Sequence, residues 1–290
     1  MVLTQTLCRI RRGGLRPFSK RWKLLVAITL PFLFVGYRFE WELVAHRVSK
    51  IVNMYSNERL YNDLRALYIN APSREDRRRH IVRELRRARI RHERVNGVII
   101  PLTSIALTQC SSKLELARCA GKMGCQLSHL LALKRAIRRR WDHVAIFEDD
   151  FAWAQDFDPF NVLHAIRTIQ KQFPEWDVIL ISANIVRHAV ESGKDSSIVV
   201  MKLGKLKRVV VRVREAYATH GYLVRRTYLD RVRGAFENCN VSDFSQAIDV
   251  CWKPLQSDHG NWYGMIPQLG RQYASYSDIE QRMVSYEVTA

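Results

Sequence analysis

The stretch Val144-Ala145-Ile146-Phe147-Glu148-Asp149-Asp150-Phe151 decides the reading of this chain. Its first four residues are apolar, with β-branched and aromatic side chains typical of a buried strand. The strand stops abruptly in three carboxylates. Side by side these repel one another unless a cation neutralises them. Ligands bind at the C-terminal strand edge of an open α/β sheet. Hard oxygen donors placed there suit Mg²⁺ or Mn²⁺, which bridge carboxylates to substrate phosphates. A solvated acidic turn or a helix N-cap is the alternative. The apolar run before the triplet and the abundance of arginine favour a metal–diphosphate site.

Upstream, Gly124-Cys125-Gln126-Leu127-Ser128-His129 opens a helix with Leu127, Leu130, Leu131, Leu133 and Ile137 as its apolar face. Arg138-Arg139-Arg140 ends it, cations that complement the helix C-terminal dipole. Further upstream, Leu64–Ile69 reads as a strand and Asn70-Ala71-Pro72-Ser73 as a turn. Arg74–Arg91 follows as a helix with Ile81, Val82, Leu85 and Ala88 on one side. Downstream, Asp177–Ser182 and Thr219–Val224 repeat the buried-strand pattern. Helices alternating with buried strands predict an α/β fold with a mainly parallel central sheet.

The chain has 290 residues, 47% of them apolar and 26% charged, so it is neither disordered nor fibrous as a whole. No internal repeat suggests a solenoid. Its 47 Lys and Arg against 28 Asp and Glu give a net charge of +19. That balance points to nucleic acid, an anionic membrane or a phosphorylated substrate without choosing among them. Eight of the cations lie between Arg9 and Arg38, before the first carboxylate.

Between Lys23 and Arg38 runs an uncharged block, 24–37, which at ~1.5 Å per residue reaches only about 21 Å. A cleaved signal peptide needs a small-x-small site after the apolar run, and Phe34-Val35-Gly36-Tyr37-Arg38 offers none. A buried core helix is disfavoured by Pro31 and the flanking charges, and an arginine-rich transit peptide is a further alternative. The preferred reading is an uncleaved signal anchor with Trp22, Phe39 and Trp41 at the interfaces and the basic tail in the cytosol. It predicts a tail over 1–23, a transmembrane helix over 24–37, a stem over 38–62 and a catalytic domain over 63–290. The protein would be single-pass type II in the Golgi or endoplasmic reticulum membrane, with Asn240 of Asn240-Val241-Ser242 as a lumenal glycosylation site. The six cysteines show no zinc-finger spacing. Pairs such as Cys110–Cys119 or Cys239–Cys251 are open in an oxidising lumen, as are buried free thiols.

Three ordered segments, Ile69–Ile81, Gly124–Ile137 and Val144–Phe151, together resemble glycosyltransferase family 25, which includes lipooligosaccharide and procollagen galactosyltransferases. Thr219–Arg226, Ala247–Trp252 and Ser277–Glu280 extend the likeness, which spans about residues 64–282. The resemblance implies a GT-A type nucleotide-sugar-binding fold, Mn²⁺ (or Mg²⁺), a UDP-sugar donor, commonly UDP-galactose, and inversion at the anomeric carbon. Ala71 and Phe151 depart from the family pattern, which has Leu at the first position and Val or Ile at the second.

Such a transfer needs charge neutralised on the leaving diphosphate and a base for the acceptor hydroxyl of a glycan or protein. Asp150, then Glu148, are the expected metal ligands, and Asp149 is expected on ribose or sugar hydroxyls. Asp249 is the expected base, with Asp278 and Glu280 as runners-up. Arg74, Arg77 and Arg78 are placed to meet the diphosphate, or to form a solvated face. His129 either orients the acidic loop or packs in the core. Two rivals remain: a membrane-tethered basic protein binding nucleic acid or anionic lipid, and a non-catalytic homologue. Without a helix-turn-helix, RRM, KH or zinc-finger signature, no nucleic acid is expected.

Overall fold

A computed structural model describes residues 64–104, 112–194, 197–203, 205–240, 247–257, 260–277 and 282–284. These belong to one compact unit, 57–290. The tail, the anchor and the stem at 1–62 lie outside the described residues, as do Cys8 and Cys110. Among the described residues no helix is long and apolar enough to cross a membrane.

The chain opens with β1 (Arg65–Asn70), α1 (Glu75–Arg87) and β2 (Arg91–Asn96), then α2 (Lys113–Arg139), β3 (His143–Glu148) and β4 (Phe151–Trp153). Next come α3 (Val162–Gln172), β5 (Val178–Ala189), β6 (Val200–Leu203), the long β7 (Leu206–Arg225) and α4 (Leu229–Glu237). Two short helices, α5 (Ile248–Cys251) and α6 (Lys253–Gln256), lead to β8 (Trp262–Ile266), β9 (Gly270–Gln272), β10 (Ser275–Ser277) and β11 (Arg282–Val284). The central sheet runs β2-β1-β3-β7-β5-β8, with β6 also on β7. β2, β1 and β3 pair in parallel, as do β5 and β8. β7 runs antiparallel to β3, β5, β6 and β8. Every strand of the sheet but β7 therefore points one way. The expected parallel sheet holds, with one reversed strand that the local pattern of Thr219–Val224 gave no means of orienting.

Strand alternation sorts the apolar residues onto two faces. Tyr68, Ala145, Phe147, Ile179 and Leu223 join Ile81 and Leu85 of α1 and Ile166 and Ile169 of α3 in one core. Leu67, Val144, Ile146, Leu180, Tyr222 and Val224 join Leu130 and Leu133 of α2 and Phe236 of α4 in the other. Each layer excludes water from one side of the sheet, and at ~25 cal/mol per Å² of apolar surface such burial is the dominant favourable term.

Several boundaries differ from the sequence reading. α2 begins eleven residues before Gly124, where the Ser112 hydroxyl accepts the Glu115 N–H. Ser112-Lys113-Leu114-Glu115 is a capping-box sequence, a signal present but not read. Leu127 and Leu131 prove exposed, at 39% and 44%. The buried side of α2 carries Gly124, Ser128, His129, Ala132 and Ala136 beside Leu130 and Leu133. Small residues are required there because the chain after β2 crosses the helix closely: a Cβ on Gly124 would lie 2.4 Å from the Val98 carbonyl oxygen. Ser128 Oγ accepts the Val98 N–H and donates to the Gly124 carbonyl. α1 ends at Arg87 rather than Arg91, with Arg89 at φ 53°, which frees β2 to pair with β1.

Candidate active site

Alternation along β3 sets the site. Val144 and Ile146 face the α2 layer, Ala145 and Phe147 the α1 layer. Continued past Phe147, this alternation sends Glu148 toward α2 and Asp149 toward α1. The contacts agree. Glu148 Oε1 lies 3.3 Å from His129 Nε2 of α2 and accepts the Thr219 hydroxyl of β7. Asp149 accepts Arg77 Nη1 of α1 at 2.9 Å and Asn70 Nδ2 at the end of β1 at 2.8 Å. Asp150 Oδ2 accepts Gln272 Nε2 at 2.9 Å and lies 3.5 Å from Arg77 Nη1. The other oxygen, Oδ1, is buried without a hydrogen-bond partner.

The turn is held from below by Phe151, which packs so tightly on β9 that a Cβ at Gly270 would lie 2.3 Å from its ring. Phe151 is fully buried and pairs with Gln272, its carbonyl meeting His80 Nε2 at 2.9 Å. This departure from the family pattern is thus accommodated by glycine on the facing strand. The Trp153 N–H and indole both donate to Glu84, locking α1 against β4 and so fixing the height of Arg77.

The neighbouring carboxylates titrate in opposite directions. Burial acts to raise the Glu148 pKa, but the contact and charge of His129, the charge of His220 and the Thr219 hydroxyl outweigh it and hold the group at about 2. Burial and the charge of Asp150 lift Asp149 to about 6 despite Arg77 and Asn70. His129 is 1% exposed, with Nδ1 at 2.8 Å from the Tyr222 hydroxyl. Both proposed roles therefore meet in one residue: it is packed in the core and it braces the acidic strand end.

All three carboxylates line a cleft of about 1650 Å³ that also takes in Arg77, His129, Asp249 and His220. Asp249, on α5, accepts the Ala218 N–H at 2.9 Å. Ala218 holds φ at 70°, a left-handed conformation that a non-glycine residue adopts only where its surroundings enforce it. The Cys239–Cys251 disulfide ties α5 to the end of α4 two residues beyond Asp249. This is one of the two pairings the sequence left open, and Cys125, on the cleft wall, is a free thiol. A fully buried Arg208 fastens the cleft rim by donating to Asp156 and to the Leu203 and Gln268 carbonyls.

Of the three arginines, Arg77 and not Arg74 or Arg78 lines the cleft. Arg74 pairs with Asp76 and reaches the Tyr276 carbonyl at 3.4 Å, on the approach to the site. Arg78 pairs with Glu75 at the surface. Helical geometry turns Arg78 about 100° away from Arg77, whereas Arg74, at the N-cap, shares the Tyr276 carbonyl with Arg77 from outside the cleft. Asp278 and Glu280 lie outside the described residues. Asn240 is exposed, next to the disulfide. Sequence reading missed Asn70, Thr219, Tyr222, Gln272 and Arg208. Asn70 was read as turn chemistry, and the other four become site residues only through strand pairing.

A family model described as glycosyltransferase family 25 (LPS biosynthesis protein) matches residues 65–252. No curated protein matches the chain. Among solved structures, the crystal structure of A197 from STIV is similar over 76% of this chain and 93% of its own, at 10% identity and a TM-score of 0.38. A glycosyltransferase involved in the glycosylation of the major capsid of PBCV-1 is similar over 60% of this chain and 65% of its own, at 7% identity and a TM-score of 0.30. At those scores neither likeness bears on function.

Proposed function

The chain belongs to glycosyltransferase family 25, and from that premise we propose that it moves a hexose, galactose in the first instance, from a UDP-sugar to a hydroxyl of a glycan or protein, with inversion, on a GT-A type fold. The observation that carries the reading is Asp150. Its Oδ1 is buried without a partner on the wall of a cleft whose other carboxylates are already engaged. A hard, anionic, unpartnered oxygen fits Mn²⁺ or Mg²⁺.

Asp150 would hold the ion, with the cleft-facing part of Glu148 as its second contact. When bound, the ion supplies neutralisation of the leaving diphosphate. Arg77 contributes a further cation beside it, while Asn70 and Arg77 hold Asp149 where it can accept from ribose or sugar hydroxyls. Asp249, oriented by the Ala218 N–H, takes the acceptor proton. Asp278 and Glu280 remain candidates for the same role. A lumenal, membrane-anchored placement agrees with the Cys239–Cys251 disulfide and the exposed Asn240.

The test is release of UDP across a panel of UDP-sugars, each with Mn²⁺ and with chelator. Metal-dependent release from one donor supports the reading. Affinity for every UDP-sugar unaffected by metal removes its physical basis. Carbonate extraction of membranes checks the anchor, which predicts retention in the pellet.

A further inference from the structure

The α2 wall of the cleft carries a thiol and an imidazole that the transfer reaction does not require, beside the Glu148 carboxylate that it shares. Cys125 and His129 stand four residues apart on α2, the spacing that puts two side chains one above the other on a helix face. Cys125 Sγ, a ring nitrogen of His129 and a carboxylate oxygen of Glu148 all lie within 4.8 Å of one another. We propose that Cys125, His129 and Glu148 form a second divalent-cation site, one that takes Zn²⁺ rather than Mn²⁺ or Mg²⁺.

His129 carries the second observation. The residue is 1% exposed, and its Nε2 is buried with no hydrogen-bond partner although Glu148 Oε1 stands 3.3 Å away. That contact is close enough to act electrostatically and too poorly aligned to bond. A buried ring nitrogen facing a carboxylate, in a residue clustered with a thiol, is a ligand position. Its other nitrogen is already braced: Nδ1 lies 2.8 Å from the Tyr222 hydroxyl, so in the metal-bound form Nδ1–H donates there and Nε2 turns a lone pair to the ion in place of its charged contact with Glu148. Zinc-bound histidines are oriented in this way. Thr219 does the same for Glu148.

Sulfur, imidazole and carboxylate together are a borderline-soft set that suits zinc, whereas the all-oxygen environment of Asp150 suits a hard ion. Zinc bonds of ~2.0–2.3 Å in a tetrahedron separate ligand atoms by roughly 3.3–3.8 Å, so the three donors need to close by about 1 Å. Rotation about the Cys125 and Glu148 side-chain bonds supplies that. One thiolate and one carboxylate balance the +2 charge, which suits a partly buried place. In the metal-free chain burial keeps Cys125 protonated, and binding exchanges that proton for the ion. All three residues line the cleft, so the fourth zinc position opens toward it. The site joins α2 to β3 and does not depend on the transferase reading.

Cobalt(II) reports it directly, because a Cys–Co²⁺ bond gives an intense near-ultraviolet charge-transfer band that oxygen and nitrogen ligands do not. Full-length protein freed of metal is titrated with Co²⁺ and then with Zn²⁺. The site predicts a band saturating at one equivalent, displaced by Zn²⁺ and not by Mg²⁺. Cys125→Ser should abolish it, and Glu148→Gln should weaken Zn²⁺ at least tenfold, both with unchanged far-ultraviolet circular dichroism. Asp150→Asn should leave the band in place. No band in the wild type, a band that survives Cys125→Ser, or one lost in Asp150→Asn overturns the proposal. UDP release measured on the same preparations separates the two readings. A band without any transferase activity leaves zinc standing alone, and activity without a band does the reverse.

Discussion

The two walls of the cleft receive one carboxylate each from consecutive positions, and they treat them differently. On the α2 wall Glu148 meets His129, His220 and Thr219, and its pKa falls to about 2. On the α1 wall Asp149 meets a cation and an amide, Arg77 and Asn70, yet burial beside Asp150 lifts it to about 6. The α2 wall thus favours the ionised carboxylate more than the α1 wall does. The α1 wall is left short of positive charge, and the unpartnered Asp150 Oδ1 is the plainest sign of it. A single residue of strand register decides which wall each carboxylate serves.

The largest test of this contrast is Asp150→Asn. It keeps size and removes one anionic oxygen, so transfer should fall by ~1,000-fold or more, with loss of the metal-dependent part of nucleotide-sugar binding. The metal-free fold should survive, with a melting temperature unchanged or slightly raised as repulsion on the α1 wall is relieved. Equal turnover in mutant and wild type would move the demand for a cation elsewhere.

Asp249→Asn comes next. Turnover should drop by roughly 100- to 10,000-fold while donor binding, measured by calorimetry with Mn²⁺, stays within a few-fold. Unchanged turnover would hand the base role to Asp278 or Glu280.

Arg77→Met removes the cation of the α1 wall alone. Donor affinity should weaken by about 10- to 100-fold, and the metal-free protein should lose about 1–3 kcal/mol of stability, because Asp149 then keeps only Asn70 as a partner. A stability unchanged in thermal melts would mean that Asp149 is already protonated at neutral pH.

The smallest effects are in pH dependence, and they have opposite signs. Glu148 is depressed below its usual 4.5, so it contributes stability above pH 4.5 that is lost as pH falls toward 2. The advantage of wild type over Glu148→Gln should shrink on acidification. Asp149 is raised from 3.8 to about 6, so the folded state binds the extra proton between those values. Stability relative to Asp149→Asn should therefore fall as pH rises from about 4 to 6. Differential melts should show each slope at a size on the order of 5 °C. Two slopes of the same sign would collapse the distinction between the walls.

How much of this was legible follows from which interactions are local. β1, α1, the second half of α2, β3 and the cores of β5 and β7 came from apolar periodicity. The acidic triplet at the end of β3 stands out as a candidate site because three adjacent carboxylates closing a buried strand repel one another until a cation meets them. β2 escaped because Arg91-His92-Glu93-Arg94-Val95-Asn96 has one buried residue, Val95, and no alternation to read. The start of α2 was written in a capping box that went unread.

What the sequence by itself determined is β1, α1, β3 and the cores of α2, β5 and β7, the repulsion within the acidic triplet and the family order of motifs, because these rest on contacts within a few residues. The reversed strand β7, the choice of Arg77 over its neighbours and the division of Glu148 from Asp149 were decided by the tertiary structure. So were the meeting of Cys125 with Glu148 and the disulfide beside Asp249. Each depends on residues tens of positions apart or on rotation about an axis that composition does not encode. Thr219 and Tyr222 matter only because antiparallel pairing of β7 sets Gly221 opposite Phe147. That register places the hydroxyls against Glu148 and His129, at the one strand end where a buried negative charge has to be held.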